Sequence, residues 1–391
     1  MAPASIDIVV IGGSFAGLHI AHSVLRDVPD AKVTLVNPSS NFFWNIAAPR
    51  IVAKPTAFRP NEYLLPIKDA FASYRPDAFE FIPGIATAIE TSAKTISVKP
   101  NEGEAKTLSY DYLVIASGST TSATNGSLTG TSIPFKQSNH DDMAQLIEAA
   151  QGHIAGAKEI VIGGAGPIGV ELAGELAEAV EQSGNAGKVS ITIVSATERV
   201  LPMLKTSASS AARKQLEHKK VKVLTSKRVI GVETPAEEGS KWVVNLEGGD
   251  KLSADLYIPT TGVTPNNSFI PAQLLDQDGW VTVGKDMRVK SADGSKLPIF
   301  AAGDITNNSM RLSFKATEQA QVAAANIKAD IVGGTAYKSY EQGDSIMMVV
   351  PVGEAGGTGQ IFGFVPFSFM VKMIKGKHYF IDKASGAVAG K

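Results

Sequence analysis

The stretch EIVIGGAGPIGVELAGEL, residues 159–176, decides the fold. It reads as a buried strand that turns through glycines into a helix, the shape that cradles a dinucleotide pyrophosphate. Three of its glycines have separate duties. Gly164 permits the tight turn, Gly166 lets a pyrophosphate approach the backbone, and Gly169 lets the helix pack on the strand. The helix then turns its unpaired N–H groups and the positive end of its dipole toward the phosphates. An earlier stretch, IVVIGGSFAGLHIAHSVL at residues 8–25, has the same shape. Its matching positions are Gly12, Ser14 and Gly17, with Gly13, Phe15 and Ala16 completing the turn. Serine in the middle position leaves less clearance than glycine. One such glycine pattern is a weak signal, because strand–helix joints also use it for packing alone. Two copies, each after a strand and before a helix, predict two dinucleotide sites.

Composition sets the limits around this reading. The chain has 391 residues, 44% of them apolar, and a formal net charge of −1, with a mean hydropathy near zero. Ordinary water-soluble cores and two or three domains are expected. Neither sign of charge forms long blocks, which argues against nucleic acid as a partner. There is no cysteine, which excludes a disulfide, a Cys-ligated metal or iron–sulfur cluster, and a dithiol relay. No metal site is expected, and redox chemistry must use a bound cofactor. The N-terminus shows neither an Arg-rich transit pattern nor the Met-Gly start of myristoylation, so the expected setting is cytoplasmic.

The order of elements gives the fold class. IDIVVIGG, a helix to about Arg26, and AKVTLV ending at Asn37 form a βαβ unit. A stretch broken by Pro49, Pro55, Pro60 and Pro66 follows, then short strands around FEFIPGIATAIE and KTISV. YDYLVIASGS is a buried strand that runs into a small-residue turn. DDMAQLIEAA is a helix leading to the second cradle, whose own helix is expected to reach Glu181. KVSITIVS and KVKVL are strands, KWVVNLEGG and KLSADLYIPTTG predict a β-meander, and LPIFAAGDIT repeats the strand-to-turn shape. The alternation predicts an α/β protein with two Rossmann-like dinucleotide-binding domains and a C-terminal α+β segment. The expected division is 1–138 with 265–335, then 139–264, then 336–391.

The paired cradles, together with YLVIASGS, PTTGVTPN and IFAAGDIT, resemble the two-dinucleotide flavoprotein reductases. In those proteins FAD occupies the N-terminal site and NAD(P)H the inserted one. NIAAPR at residues 45–50 and the tail motifs GEAGGTGQIFGF and MVKMIKGKHYFI look like the apoptosis-inducing-factor-like branch. That branch includes ferroptosis suppressor protein and is related to single-subunit NADH:quinone oxidoreductases. Disulfide reductases share the architecture, but they need a cysteine pair beside the flavin.

The resemblance implies roles for individual residues. Gly12, Ser14 and Gly17 face the FAD pyrophosphate, and Asn37 stands where relatives often place an acid on the adenosine ribose. Arg50 reaches the flavin side, Ala86 lies by its backbone against adenine, and Gly118 lets the chain pass close to the cofactor. Asp304 hydrogen-bonds the ribityl chain. The helix beginning near Phe314 points its N-terminus at the flavin N1/O2 edge, where Lys315 adds positive charge. Glu171, expected in the first turn of the second cradle's helix, helps position the nicotinamide, and Gly262 marks a close backbone approach to it.

At the end of KVSITIVS, Ser195 stands where NAD-specific sites usually have a carboxylate, and Arg199 could reach a 2′-phosphate. Use of both NADH and NADPH is expected. With no thiols, reduced flavin hands its electrons directly to an acceptor, and the resemblance implies a quinone. A protein electron carrier, or a slow redox-dependent effector role, stays open. Residues 361–371 are mostly apolar and precede Lys372, Lys375, Lys377 and His378. They are too short to span a bilayer, which leaves peripheral membrane contact, core packing or a homodimer contact for this segment.

Overall fold

Strand β1 (Ile6–Ile11) sits in the middle of an eight-stranded sheet. Strands flanked on both edges and covered on both faces need continuous apolar runs, and Ile8, Val9, Val10 and Ile11 are all buried. The computed structural model describes residues 5–234, 240–334, 336–344 and 346–391, so the expected boundary at residue 335 falls on a position outside them. From β1 the chain runs through α1 (Phe15–Asp27) to β2 (Ala31–Asn37), which pairs with β1 in parallel. The proline-broken stretch contains the short helix α2 (Ala48–Ala53).

The expected short strands around residues 79–90 are instead one strand, β3 (Phe79–Glu90). Its first half pairs with β2 in parallel and its second half with β4 (Thr95–Pro100) in antiparallel register. Gly84 lies at this change of partner, and a Cβ there would come within 2.6 Å of the Lys99 carbonyl oxygen. Strand β5 (Lys106–Ser109) ends that edge, while β6 (Tyr112–Ile115) returns to pair with β1.

The second sheet starts after helix α3 (Met143–Gly156). Strand β7 (Glu159–Gly163) leads into α4 (Pro167–Gln182), and β8 (Ser190–Val194) and β9 (Lys222–Leu224) follow in parallel. The expected meander is β10 (Val229–Glu233), β11 (Trp242–Leu246) and β12 (Lys251–Ala254). The end of its quoted sequence departs from it. β13 (Leu256–Pro259), fully buried, joins the parallel sheet beside β7. The chain then crosses back, with Thr264 and Pro265 pairing against Thr120 and Ser119. Strands β14 (Arg288–Lys290) and β15 (Lys296–Ala301) complete the first sheet. Helix α5 (Ser313–Val332) packs against α1.

The tail is a hairpin, β16 (Met348–Pro351) and β17 (Gly357–Gln360), followed by short helical turns and α6 (Ala384–Val388). The hairpin lies on α4 at Gly174, where a Cβ would be 2.7 Å from the Val352 Cα. At the other end His22 on α1 donates from Nε2 to the Val388 carbonyl at 3.0 Å.

A buried charge network joins these parts. Glu171, Glu175 and Glu178 share one face of α4, as spacings of four and three residues require, and all three are buried. Arg50 of α2 grips Glu175 with two bonds, Nε at 2.9 Å and Nη2 at 2.8 Å, and also donates to the Gly376 and Lys377 carbonyls of the tail. Lys54 bridges Glu175 and Glu178 at 2.9 and 2.5 Å, and Lys219 reaches Glu178 at 3.1 Å. Burial raises the Glu178 carboxyl, but its two lysines and the Glu354 backbone N–H overcome that and hold it at about 2.

Arg50, expected on the flavin side, is therefore a buried tie between domains and stands behind Ala48 and Pro49, which line the large chamber that it does not itself line. Removing one partner of such a pair leaves a buried charge uncompensated, at a cost of about 3–5 kcal/mol. Arg50→Leu is expected to lower the unfolding free energy, extrapolated from the urea transition, by an amount in that range, and adding Glu175→Leu should recover most of the loss. A single variant that unfolds like the wild type would show that Lys54 alone neutralises Glu175.

Candidate functional site

The first cradle is built as its glycines require. Gly12 has φ +109°, and a Cβ on it would lie 2.1 Å from the Ala116 carbonyl oxygen. A Cβ on Gly17 would lie 1.8 Å from the carbonyl oxygen of Gly12. Gly13 donates its N–H to Asn37 Oδ1 at 2.8 Å, and Asn37 Nδ2 donates to the Ser39 carbonyl. The Asn37 amide thus holds the glycine loop, and this use of its oxygen was not visible in the expected ribose role. Ser14 caps α1 in an extended conformation without a capping bond from its hydroxyl. Phe15 packs edge-on against Phe42 at 5.2 Å.

Gly12, Gly13, Ser14, Phe15 and Asn37 line one wall of a chamber of about 1300 Å³ that also takes in Ala86, Gly118, Asp304 and Glu171. The chamber extends past Trp44, Ala48 and Pro49 to Ile346, Met347, Met348, Ile361, Lys375 and Phe380 of the tail. Gly118, at φ +68°, accepts the Asn266 N–H on its carbonyl at 3.1 Å, which fastens the return crossing to the chamber wall.

Asp304 accepts hydrogen bonds from Lys136 Nζ and from Ser119 Oγ, the latter at 3.0 Å. Burial pushes its carboxyl up, but Lys136 and the hydrogen bonds win and hold it below the ordinary carboxylate range. Helix α5 begins at Ser313, one residue before the expected start, and its first turn faces the chamber. Lys315 does not. Its Nζ turns along the helix to Glu318 at 2.8 Å, because the third residue of the helix lies off the face that the chamber touches. The cation at this helix start is Arg311, which lines the chamber and stacks over Trp280 at 3.9 Å.

The second cradle repeats the steric logic with one instructive difference. Gly164 has φ +121°, and a Cβ on Gly169 would lie 2.1 Å from the Gly164 carbonyl oxygen. A Cβ on Gly166 would meet nothing within 4 Å. No protein atom requires glycine there, so clearance for a ligand is the remaining reason for it. Glu171 lies one turn deeper than expected, as the fifth residue of α4, and it accepts from Lys375 Nζ at 2.5 Å. Burial pushes its carboxyl up, opposed by the Lys375 charge.

At the end of β8, Ser195 Oγ donates to the Arg199 carbonyl at 3.0 Å. The Arg199 guanidinium donates to Thr206 Oγ1 and to the Pro202 carbonyl, partners close to it in sequence. Gly262, at φ +70°, lines a smaller cavity of about 170 Å³ together with Phe135 and Ile168, residues that also face the main chamber.

Sequence reasoning missed Lys136, Arg311, Gln137 and the pairing of Lys375. Lys136 and Gln137 stand in an irregular loop with no periodic signal, and the partner of Lys375 is 204 residues away. Gln137 Nε2 and Arg311 Nε are buried without a hydrogen-bond partner, and both residues line the chamber.

Comparison with known proteins agrees with this geometry. Over 98% of this chain and 98% of its own length, the oxidoreductase ptaL of Pestalotiopsis fici is 39% identical. Human ferroptosis suppressor protein 1 is 24% identical over 97% of this chain and 94% of its own. The sulfide:quinone oxidoreductase of Aquifex aeolicus superposes with a TM-score of 0.77 at 18% identity, covering 98% of this chain and 92% of that one, a likeness of fold. Residues 6–325 match the family described as pyridine nucleotide-disulphide oxidoreductase, whose members typically bind FAD and NAD(P)H. The chain belongs to that family, as an NAD(P)H-dependent flavin oxidoreductase without a redox disulfide.

Proposed function

We propose that the protein is an FAD-dependent NAD(P)H:quinone oxidoreductase. The observation that carries the reading is a single chamber running from the first cradle to the Glu171–Lys375 pair and the apolar tail wall, in a chain with no cysteine. The residues present fit FAD. The cradle closes around glycines that a Cβ would block, the Ser14 hydroxyl makes no capping bond, and Gln137 and Arg311 carry buried N–H groups without partners.

In this reading Ser14 and the N-terminus of α1 hold the pyrophosphate, Ala86 flanks the adenine, and Asp304 holds the ribityl chain. The N-terminus of α5 and Arg311, which both face the chamber, would hold the flavin end of the cofactor and favour negative charge there. When bound, the flavin supplies the two-electron chemistry between nicotinamide and acceptor. Glu171 helps position the nicotinamide, and it also fixes Lys375 against the apolar part of the chamber, so a cation faces the place where a quinone oxygen gains charge. Met347, Met348 and Phe380 exclude water there.

The test is the visible spectrum of the purified protein. Anaerobic NADH or NADPH should bleach the flavin, and a water-soluble quinone should restore the colour rapidly without a carrier protein. Restoration that requires a ferredoxin would reject the quinone reading.

Three variants follow from the assignment. Asp304→Ala removes a charged acceptor worth about 1.5–3 kcal/mol and strands Lys136, so FAD occupancy of the purified protein should fall by tenfold or more, read as the ratio of flavin to protein absorbance. Glu171→Gln should slow reduction of the flavin by NAD(P)H in stopped flow while the spectrum of the oxidised flavin stays the same. An unchanged rate would make Glu171 a packing residue. Because no carboxylate ends β8 to repel a 2′-phosphate, NADPH should serve at least comparably to NADH. Ser195→Glu should raise KM for NADPH selectively, and a wild-type protein that rejects NADPH would place the selecting group elsewhere.

A further inference from the structure

The tail leaves an apolar ridge uncovered. Ile361 and Phe364 each donate their N–H to the other's carbonyl at 2.9 Å, closing a tight reversal. Within it Phe362 and Gly363 adopt φ of +47° and +81°. The turn holds Phe362 and Phe364 outward at 75% and 78% exposure, and Phe367, Phe369 and Met373 are 73%, 60% and 70% exposed. The rings of Phe367 and Phe369 stack at 6.1 Å. Single exposed apolar side chains are ordinary, but a continuous run of large ones marks an interaction surface.

Its charge tells what covers it. Residues 355–381 contain no aspartate or glutamate, but they carry Lys372, Lys375, Lys377 and His378. Lys375 turns inward to Glu171, while Lys372 and Lys377 are exposed beside the ridge. Lys205 also sits at the turn, donating to the Gly363 carbonyl.

We propose that this ridge docks on an anionic lipid bilayer. Phe362, Phe364, Phe367 and Phe369 enter the headgroup–acyl boundary, and Lys372 and Lys377 meet the acidic headgroups. A second copy is the poorer occupant, because a two-fold contact would set this basic ridge against itself. The attachment is peripheral, since among the described residues no helix is long and apolar enough to cross a membrane. Ile361, at the base of the same turn, lines the chamber, so the docked face is also the face nearest its tail wall. The proposal stands apart from the choice of acceptor, because lipid binding is read without turnover.

Flotation of the whole purified protein with phosphatidylcholine–phosphatidylserine vesicles, against phosphatidylcholine alone, tests it. The protein should float with the acidic vesicles, and less so in high salt. Replacing the four phenylalanines by serine should weaken binding more than about tenfold. The pair Lys372→Gln and Lys377→Gln should weaken it on acidic vesicles by about fivefold per lysine. Turnover with a water-soluble acceptor should be unchanged in both variants. A wild-type protein that stays unbound, or a phenylalanine variant that binds as well as the wild type, overturns the proposal. So does a lipid-free dimer that the phenylalanine variant dissociates, which would assign the ridge to a second copy.

Discussion

Glu175 has no solvent exposure, so its charge has to be neutralised from inside the protein, and the sources of its cations fix how the parts of the molecule meet. Arg50 and Lys54 come from the first domain, and Arg50 spends its remaining donors on tail carbonyls. One helix turn earlier, Glu171 takes Lys375 from the tail. One turn later, Glu178 takes Lys54 and also Lys219 of its own domain. A single face of α4 therefore registers both dinucleotide domains and the tail at once. Buried ion pairs add little net stability over well-packed apolar groups, but they penalise any arrangement that leaves one partner alone. That penalty places the chamber's second-domain wall opposite its first-domain wall.

The chamber depends on this registration because no one part of the chain encloses it. Ser14 and Gly118 belong to the first domain, Ile168 and Glu171 to the second, and Met348 and Phe380 to the tail. Tyr379 shows how closely the two functions share atoms. It is fully buried, donates to Glu175 at 3.2 Å, and its ring lies 4.7 Å from the Arg50 guanidinium and 5.2 Å from Lys375 Nζ. The contact that fixes the domains therefore adjoins the contact that presents Lys375 to the chamber.

What the sequence disclosed were constraints local to the backbone. Gly12 and Gly164 need positive φ and Gly17 and Gly169 need a missing Cβ, requirements set within a few residues and so visible as a motif. Strand burial was legible for the same reason, since each central strand needs its own apolar run. The side chains that failed were long cations. Arg50 and Lys315 were placed by motif beside the flavin, but a flexible charged side chain goes to the nearest uncompensated carboxylate. For Arg50 that carboxylate is 125 residues away, and for Lys315 it is one helical turn along. Lys136 and Arg311 were unreadable for the converse reason, because their partners are assembled by the tertiary fold alone. The misjudged β3 belongs to the same class, because the partner exchange at Gly84 lets one strand serve two neighbours and no local pattern reports it.

The two cradles differ in a way that bears on how tightly each site holds its ligand. In the second, Gly166 leaves open space that nothing in the protein fills, and the helix offers N–H groups and a dipole alone. Such a site suits a co-substrate that must leave after each turnover. In the first, the matching Ser14 brings a hydroxyl that the protein does not use for capping, and the same chamber adds Asp304 with its attached Lys136 and the unpaired donors of Gln137 and Arg311. Each buried donor left without a partner costs about 1–3 kcal/mol, a cost that a polar ligand filling the chamber relieves. The first cradle thus offers a polar ligand more groups to hold it than the second does, the division expected between a resident cofactor and an exchanging one.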